Sequence, residues 1–227
     1  MIASEISLKK SETEEVWITD FEQDSLIAFE EHVFEKFYKN PKKPIILKIN
    51  SPGGSVDSAM GMLDVMDAVR SIADSNYFYF VTVALGRAMS AGALVLSHGD
   101  YRFCSPNARI MLHQANKFFF GGSKPEVEVE FNEFKRLNDI VLTTLAKNCN
   151  IKGGTKALSG KLARDLYLNP TQAREFGIID VVGYPKLNEV TAYELTVMNG
   201  IKPEKKGTSD EQVRRATKRT PKKNPKG

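Results

Sequence analysis

The sequence predicts an α/β domain, and three observations predict it. Short β-branched runs alternate along the chain with segments whose apolar residues recur every three or four positions. The change of period falls at glycine turns, giving a repeated order of strand, turn and helix. The chain has 227 residues, 41% of them hydrophobic, which is enough for one core and short for two.

Each element follows from its own residues. Lys43 to Asn50, KPIILKIN, is a β-branched run that ends in the turn signal SPGG. From Ser55, a good N-cap residue, Val56, Ala59, Met60, Leu63, Met66 and Val69 fall on one helix face. Tyr77 to Leu85, YFYFVTVAL, reads as the next strand, ended by Gly86. AGALVLS, from Ala91, suits a short buried helix, and Arg109 to His113, RIMLH, another strand. A long helix follows, with Val127, Phe131, Phe134, Leu137, Val141 and Leu145 at gaps of three and four. Asn169-Pro170 reads as an N-cap with proline at the first helical position, and Gly177 as the stop. IIDVV, Ile178 to Val182, closes as a strand, and no internal repeat is visible.

Charge divides the chain unevenly. The net charge is +4, but Lys202 to Gly227 holds ten Lys/Arg against three Asp/Glu, so the preceding body is mildly acidic. Val213 and Ala216 are the tail's clearest apolar residues, too few to offset the entropy of ordering it. With no aromatics among its charges, the tail is read as a solvated extension rather than a nucleic-acid arm. Cys104 and Cys149 form neither a metal-ligand cluster nor a disulfide framework. The start, MIASEISLKK, is charged where a signal peptide needs an apolar run, and no window reaches the ~18 apolar residues of a membrane span. A cytoplasmic protein is expected.

Two junctions carry candidate chemistry. Gly53-Gly54 lies between a strand and a helix, where backbone N–H groups can stabilise negative oxygen. Ser90 lies at a similar junction among Ala88, Ala91, Gly92 and Ala93, small residues that let a substrate approach the backbone. A serine there can cap the helix or, with a base, act as a nucleophile. The chain has three histidines. His32 sits in a charged helical stretch, His98 at the end of the Ser90 helix, and His113 at the end of an apolar strand. Pattern alone gives His113 a modest lead, and 28 acidic residues leave the orienting carboxylate open.

Four ordered stretches settle on a resemblance. INSPGGSVDSAMGMLDVMDAV, GRAMSAGALVL, YRFCSPNARIMLHQ and ARDLYLNPTQAREFGIIDVV resemble the oxyanion, nucleophile, histidine and aspartate segments of the Clp protease proteolytic subunit family, over Ile49 to Val182. The resemblance implies a serine endopeptidase with Ser90 as nucleophile, His113 as general base and Asp165 as orienting acid. It implies an oxyanion hole from the N–H groups of Gly54 and Ala91. It implies a crotonase-like spiral of strand-strand-helix units over residues 1–201; the basic C-terminal tail from 202 to 227 is read from composition alone. The helix from about Glu126 to Lys147 corresponds to the handle by which the family's rings meet. The implied assembly is a homo-oligomer of stacked rings, heptamer or tetradecamer, that takes peptide or unfolded protein. No cofactor or metal is implied. ATP is expected to be spent by a partner AAA+ unfoldase, since the chain has no GxxxxGK[ST] loop.

Three departures accompany the likeness. The residues before FEQDSLIAF do not resemble the family's axial loops, which bears on unfoldase docking. The stretch between Gly54 and Ser90 is longer than usual, near RSIADSNYFYF, and the basic tail is an extension. These features also suit a phage or divergent member. The alternative reading is accordingly a capsid-maturation protease of the same fold that works without an ATPase. A catalytically silent ring subunit is the rival from outside the enzymes. Phe118 to Phe120 are read as core or interface residues rather than a wall of the substrate site.

Overall fold

The structure, a computed structural model, describes residues 14–74, 79–115, 122–187 and 193–196. The basic tail, the boundary at 201/202, Phe118–Phe120 and part of the expected insertion after Arg70 lie outside the described residues.

The order is β1 (Glu14–Ile18), α1 (Gln23–Lys39), β2 (Ile45–Ser51), α2 (Val56–Ile72), β3 (Phe80–Met89), α3 (Ala91–Ser97), β4 (Tyr101–Cys104), β5 (Arg109–Leu112), α4 (Lys124–Asn148), α5 (Gly154–Lys161), β6 (Leu166–Leu168), α6 (Pro170–Phe176) and β7 (Val181–Val182). A hairpin of β8 (Tyr184–Leu187) and β9 (Tyr193–Thr196) follows. The main sheet runs β1-β2-β3-β4-β7 with all neighbours parallel. β5 pairs parallel with the far end of β3 and antiparallel with β6. The expected α/β class with a long handle helix is what the chain adopts.

The sheet sorts its side chains by alternation. Ile45, Leu47 and Ile49 of β2 face the main core, whereas Ile46 faces the other side. The main core takes residues from all six helices, among them Val33, Met66, Leu94, Leu145, Leu158 and Ala173. The opposite face holds a small cluster of strand residues, Ile46, Val81, Val83, Phe103 and Val181. Among the described residues, no helix is long and apolar enough to cross a membrane.

Three sequence expectations need correction. Gly86 does not end its strand. With φ +75 it forms a bulge inside β3, where the register with β2 moves from Ile49↔Ala84 to Ser51↔Ala88. The strand therefore continues to Met89 and hands its second half to β5. IIDVV is strand only at Val181–Val182, because buried Ile178 and Ile179 are used as core residues in the turn after α6. The apolar stripe of the long helix is buried only at its C-terminal end, at Val141, Leu142, Leu145 and Ala146. β1, β4, α5, β6, β8 and β9 have no counterpart among the sequence-predicted elements.

Candidate active site

Ser90 stands at the step from β3 into α3. Its backbone is at φ 52, ψ −118, and it shares a positive φ with Asn150 alone among the described non-glycine residues. β-Carbon sterics disfavour such a conformation by about 1–3 kcal/mol, so the surroundings must hold it. Its N–H donates to Met111 O at 2.9 Å, which ties the junction to β5. Ser90 does not make the side-chain cap that an N-terminal serine can make. Its Oγ is instead 2.6 Å from His113 Nε2.

Register explains how that pair meets. Met89 lies opposite Met111 in the β3–β5 ladder, so Ser90 and His113 leave adjacent strand ends. In the antiparallel β5–β6 ladder Leu112 lies opposite Leu166, which sets Asp165 across from His113. Asp165 Oδ1 is 3.8 Å from His113 Nδ1, an ion-pair distance rather than a hydrogen bond, and its side chain is 57% exposed. A carboxylate on the Nδ1 side favours the tautomer that keeps its proton there and leaves Nε2 to accept from Ser90.

The other histidines are elsewhere. His98 is the C-cap of α3, with Nε2 2.8 Å from Asp67 Oδ1 and Nδ1 facing the amide of Asn148. It joins α2, α3 and α4. His32 is exposed and lines a cleft between β1 and α1 with Trp17, Asp20 and Met62.

The glycine turn after β2 presses against the serine. A Cβ on Gly53 would lie 2.7 Å from Ser90 Cβ and 2.9 Å from Met89 O, at a backbone φ of +103. A Cβ on Gly54 would lie 2.9 Å from Cβ of Phe21, which is fully buried. Each glycine thus answers a different neighbour. Gly53's N–H donates to Ser51 Oγ at 3.1 Å, so this donor is already engaged within the turn. Ala91 opens α3, and its N–H is among the helix-end donors that have no partner within the helix. The supporting roles of Ser51 and Phe21 had no signal in the sequence, because each is defined by a contact across the fold.

Two cysteines flank this half of the domain without entering the site. Cys104 and Cys149 are free and buried, and burial pushes both thiols up to about 12. At neutral pH they are protonated core residues rather than nucleophiles.

Comparison with known proteins agrees with the described fold. Residues 29–186 match the model of the family described as Clp protease. The chain is 35% identical over 158 residues to the ATP-dependent Clp protease proteolytic subunit of Nephroselmis olivacea, covering 67% of this chain and 70% of that protein. It is 39% identical over 153 residues to the ATP-dependent Clp protease proteolytic subunit 1 of Rhodococcus jostii, covering 66% of this chain and just under two thirds, 65%, of that one. With more than half its length matched, the chain belongs to the Clp protease family.

Proposed function

We propose that this chain is a serine endopeptidase, the proteolytic subunit of a Clp-type protease, with Ser90, His113 and Asp165 as its catalytic residues. The observation that carries the reading is the 2.6 Å approach of His113 Nε2 to the Oγ of a serine held at positive φ. A capping or packing serine needs neither feature.

The chemistry follows from the geometry. His113 Nε2 takes the Ser90 proton as Oγ attacks a peptide carbonyl carbon. The carbonyl oxygen gains negative charge and is met by the N–H groups of Gly54 and Ala91, which are fixed by the backbone before substrate arrives. The protonated imidazole, with Asp165 on its other side, gives its proton to the leaving amine, and the acyl group stays on Ser90. Water then enters, loses a proton to His113 and releases the acid. The site must have His113 neutral to begin.

The reading extends to assembly. Both relatives are named as proteolytic subunits of ATP-dependent Clp proteases, which supports work with an ATP-using partner and favours this over capsid maturation; stacked rings fed with unfolded polypeptide by an AAA+ ATPase are what the family resemblance implies. Free thiols at Cys104 and Cys149 suit a reducing compartment such as the cytoplasm.

The test is a fluorophosphonate probe and a peptidase and casein assay, with and without an unfoldase and ATP, on wild type and Ser90→Ala. Labelling at Ser90 alone and complete loss of cleavage in the variant are expected. Labelling elsewhere, or cleavage by Ser90→Ala, overturns the assignment. Assembly without cleavage under any condition identifies a silent subunit instead.

A further inference from the structure

His113 stands just outside the ladder, since β5 ends at Leu112. The next two residues are gripped from outside the sheet. Asn138, midway along α4, accepts the Ala115 N–H on Oδ1 at 2.9 Å. Its Nδ2 reaches Gln114 Oε1 at 3.5 Å. The other end of the Gln114 amide faces Ser159 O at 3.3 Å, Leu162 O at 3.4 Å and Ser159 Oγ at 3.5 Å. Two of these are carbonyls, which only accept, so the NH2 end of the amide must point there.

The placement gives the network a direction. Gln114 directly follows the base, and Leu162 caps α5 three residues before Asp165. One side chain therefore spans from the strand end that carries His113 to the turn that delivers the acid. Asn138 closes the third side and fixes Ala115 to α4. The acid and base themselves are 3.8 Å apart, and Asp165 is half exposed, so no short bond between them sets their separation. The backbones on either side must set it, and this network joins those backbones.

We propose that Gln114 and Asn138 form a positioning clamp that holds His113 and Asp165 in register for catalysis. The clamp rests on the proposed roles of Ser90, His113 and Asp165. It touches neither substrate nor the reacting atoms; it acts through the imidazole's orientation. Small displacements of a base cost rate steeply, and loss of ground-state binding is not part of the effect.

Three variants test it in the full-length protein: Asn138→Leu, which removes the acceptor for the Ala115 N–H; Gln114→Met, which keeps the volume and removes both ends of the amide; and Asn138→Asp, which keeps the acceptor. Peptide kcat and KM, the rate of fluorophosphonate labelling at Ser90, the thermal midpoint and the assembled mass are measured for each. Asn138→Leu and Gln114→Met should lower kcat and labelling rate by about tenfold or more, with KM within about twofold. Midpoint and mass should stay at wild-type values, and Asn138→Asp, which keeps the acceptor for Ala115 but loses the donor to Gln114, should recover part of the rate.

A wild-type kcat in Gln114→Met overturns the clamp. So does a loss carried by KM, a loss that follows a lowered midpoint, or an aspartate variant no faster than the leucine one. Should Asn138→Leu not fold, Gln114→Met decides by the same criteria. A wild type that takes the probe at Ser90 yet is indifferent to these changes removes the clamp alone. A wild type that neither cleaves nor labels removes the catalytic reading and the clamp with it.

Discussion

Ser90 is held in a conformation that its own side chain opposes, and this yields a test independent of turnover. Glycine tolerates φ 52, ψ −118, whereas alanine keeps the offending Cβ. Ser90→Gly and Ser90→Ala both lose the hydroxyl and its bond to His113. Only the first is relieved of strain. Ser90→Gly should be inactive yet more stable than Ser90→Ala by about 1 kcal/mol, read as a higher thermal midpoint. Equal midpoints would mean that the junction stores no strain. Gly53 is the complementary case. Gly53→Ala puts a Cβ 2.7 Å from Ser90 Cβ at φ +103, and neither partner is the end of a flexible chain. A displacement of Ser90, the proposed nucleophile, by about 1 Å should slow fluorophosphonate labelling about a hundredfold. Labelling at the wild-type rate would show that the turn yields without moving Ser90. Residue chemistry made Ser90 legible as a lone hydroxyl among small neighbours and gave His113 a lead. It could not reach Asp165, which was supplied by the family resemblance. That aspartate faces His113 through the pairing of Leu112 with Leu166, a long-range register with no local trace in the sequence.

Elements carry their own sequence signals where period and punctuation agree. α2 shows both: Ser55 accepts the Ser58 N–H at 3.2 Å, and the predicted face supplies Ala59, Leu63, Met66 and Val69 to the core. α6 does too, with a capping box between Asn169 and Gln172 and Gly177 in the left-handed C-cap. β1 escaped notice because its five residues, EEVWI, carry two glutamates. Glu14 is nevertheless buried, and its environment explains why an acid is tolerated there. Burial works to raise its carboxyl, but hydrogen bonds from Asn40 and Lys36 and the charges of Lys36 and Lys39 outweigh that and hold it below the usual range. A carboxylate whose folded value is depressed stabilises the fold above its unfolded value, and that contribution is lost as pH falls through the folded one. Glu14→Gln should therefore cost about 1–3 kcal/mol at neutral pH. The gap between variant and wild type should narrow as pH drops below the ordinary 4.5, as measured by chemical unfolding across that range. A gap that is constant with pH would show that the side chain's shape, and not its charge, ties β1 to α1.

At the scale of the whole molecule, the sheet and the longest helix both carry apolar residues that stay partly exposed among the described residues. All six helices feed one core, while the other sheet face keeps a thin layer of strand residues, with Tyr101 49% exposed at its edge. Parallel sheets are ordinarily covered on both faces. α4 shows the same imbalance along its length. Its stripe of Val127, Phe131, Phe134, Leu137, Val141 and Leu145 has one period throughout, yet Val127 and Phe131 are 37% and 52% exposed while Val141 and Leu145 are buried. A stripe that outruns its own core is designed against another surface, and a second chain is the partner that the family resemblance implies. Charge sharpens the expectation. Glu126, Glu128, Glu130 and Glu133 crowd the same half of the helix, so two such helices can meet only if the apolar stripe outweighs the repulsion between them. Phe131→Glu adds a like charge at the stripe's centre and removes its largest exposed ring. The site's described side chains lie away from this position, and the second half of α4 keeps its buried anchors, so the subunit should fold with its thermal transition intact. If the proposed stacked rings meet through this helix, the particle should halve in mass by sedimentation, and peptide cleavage should fall with it. An unchanged mass would place the helix's outer half in solvent.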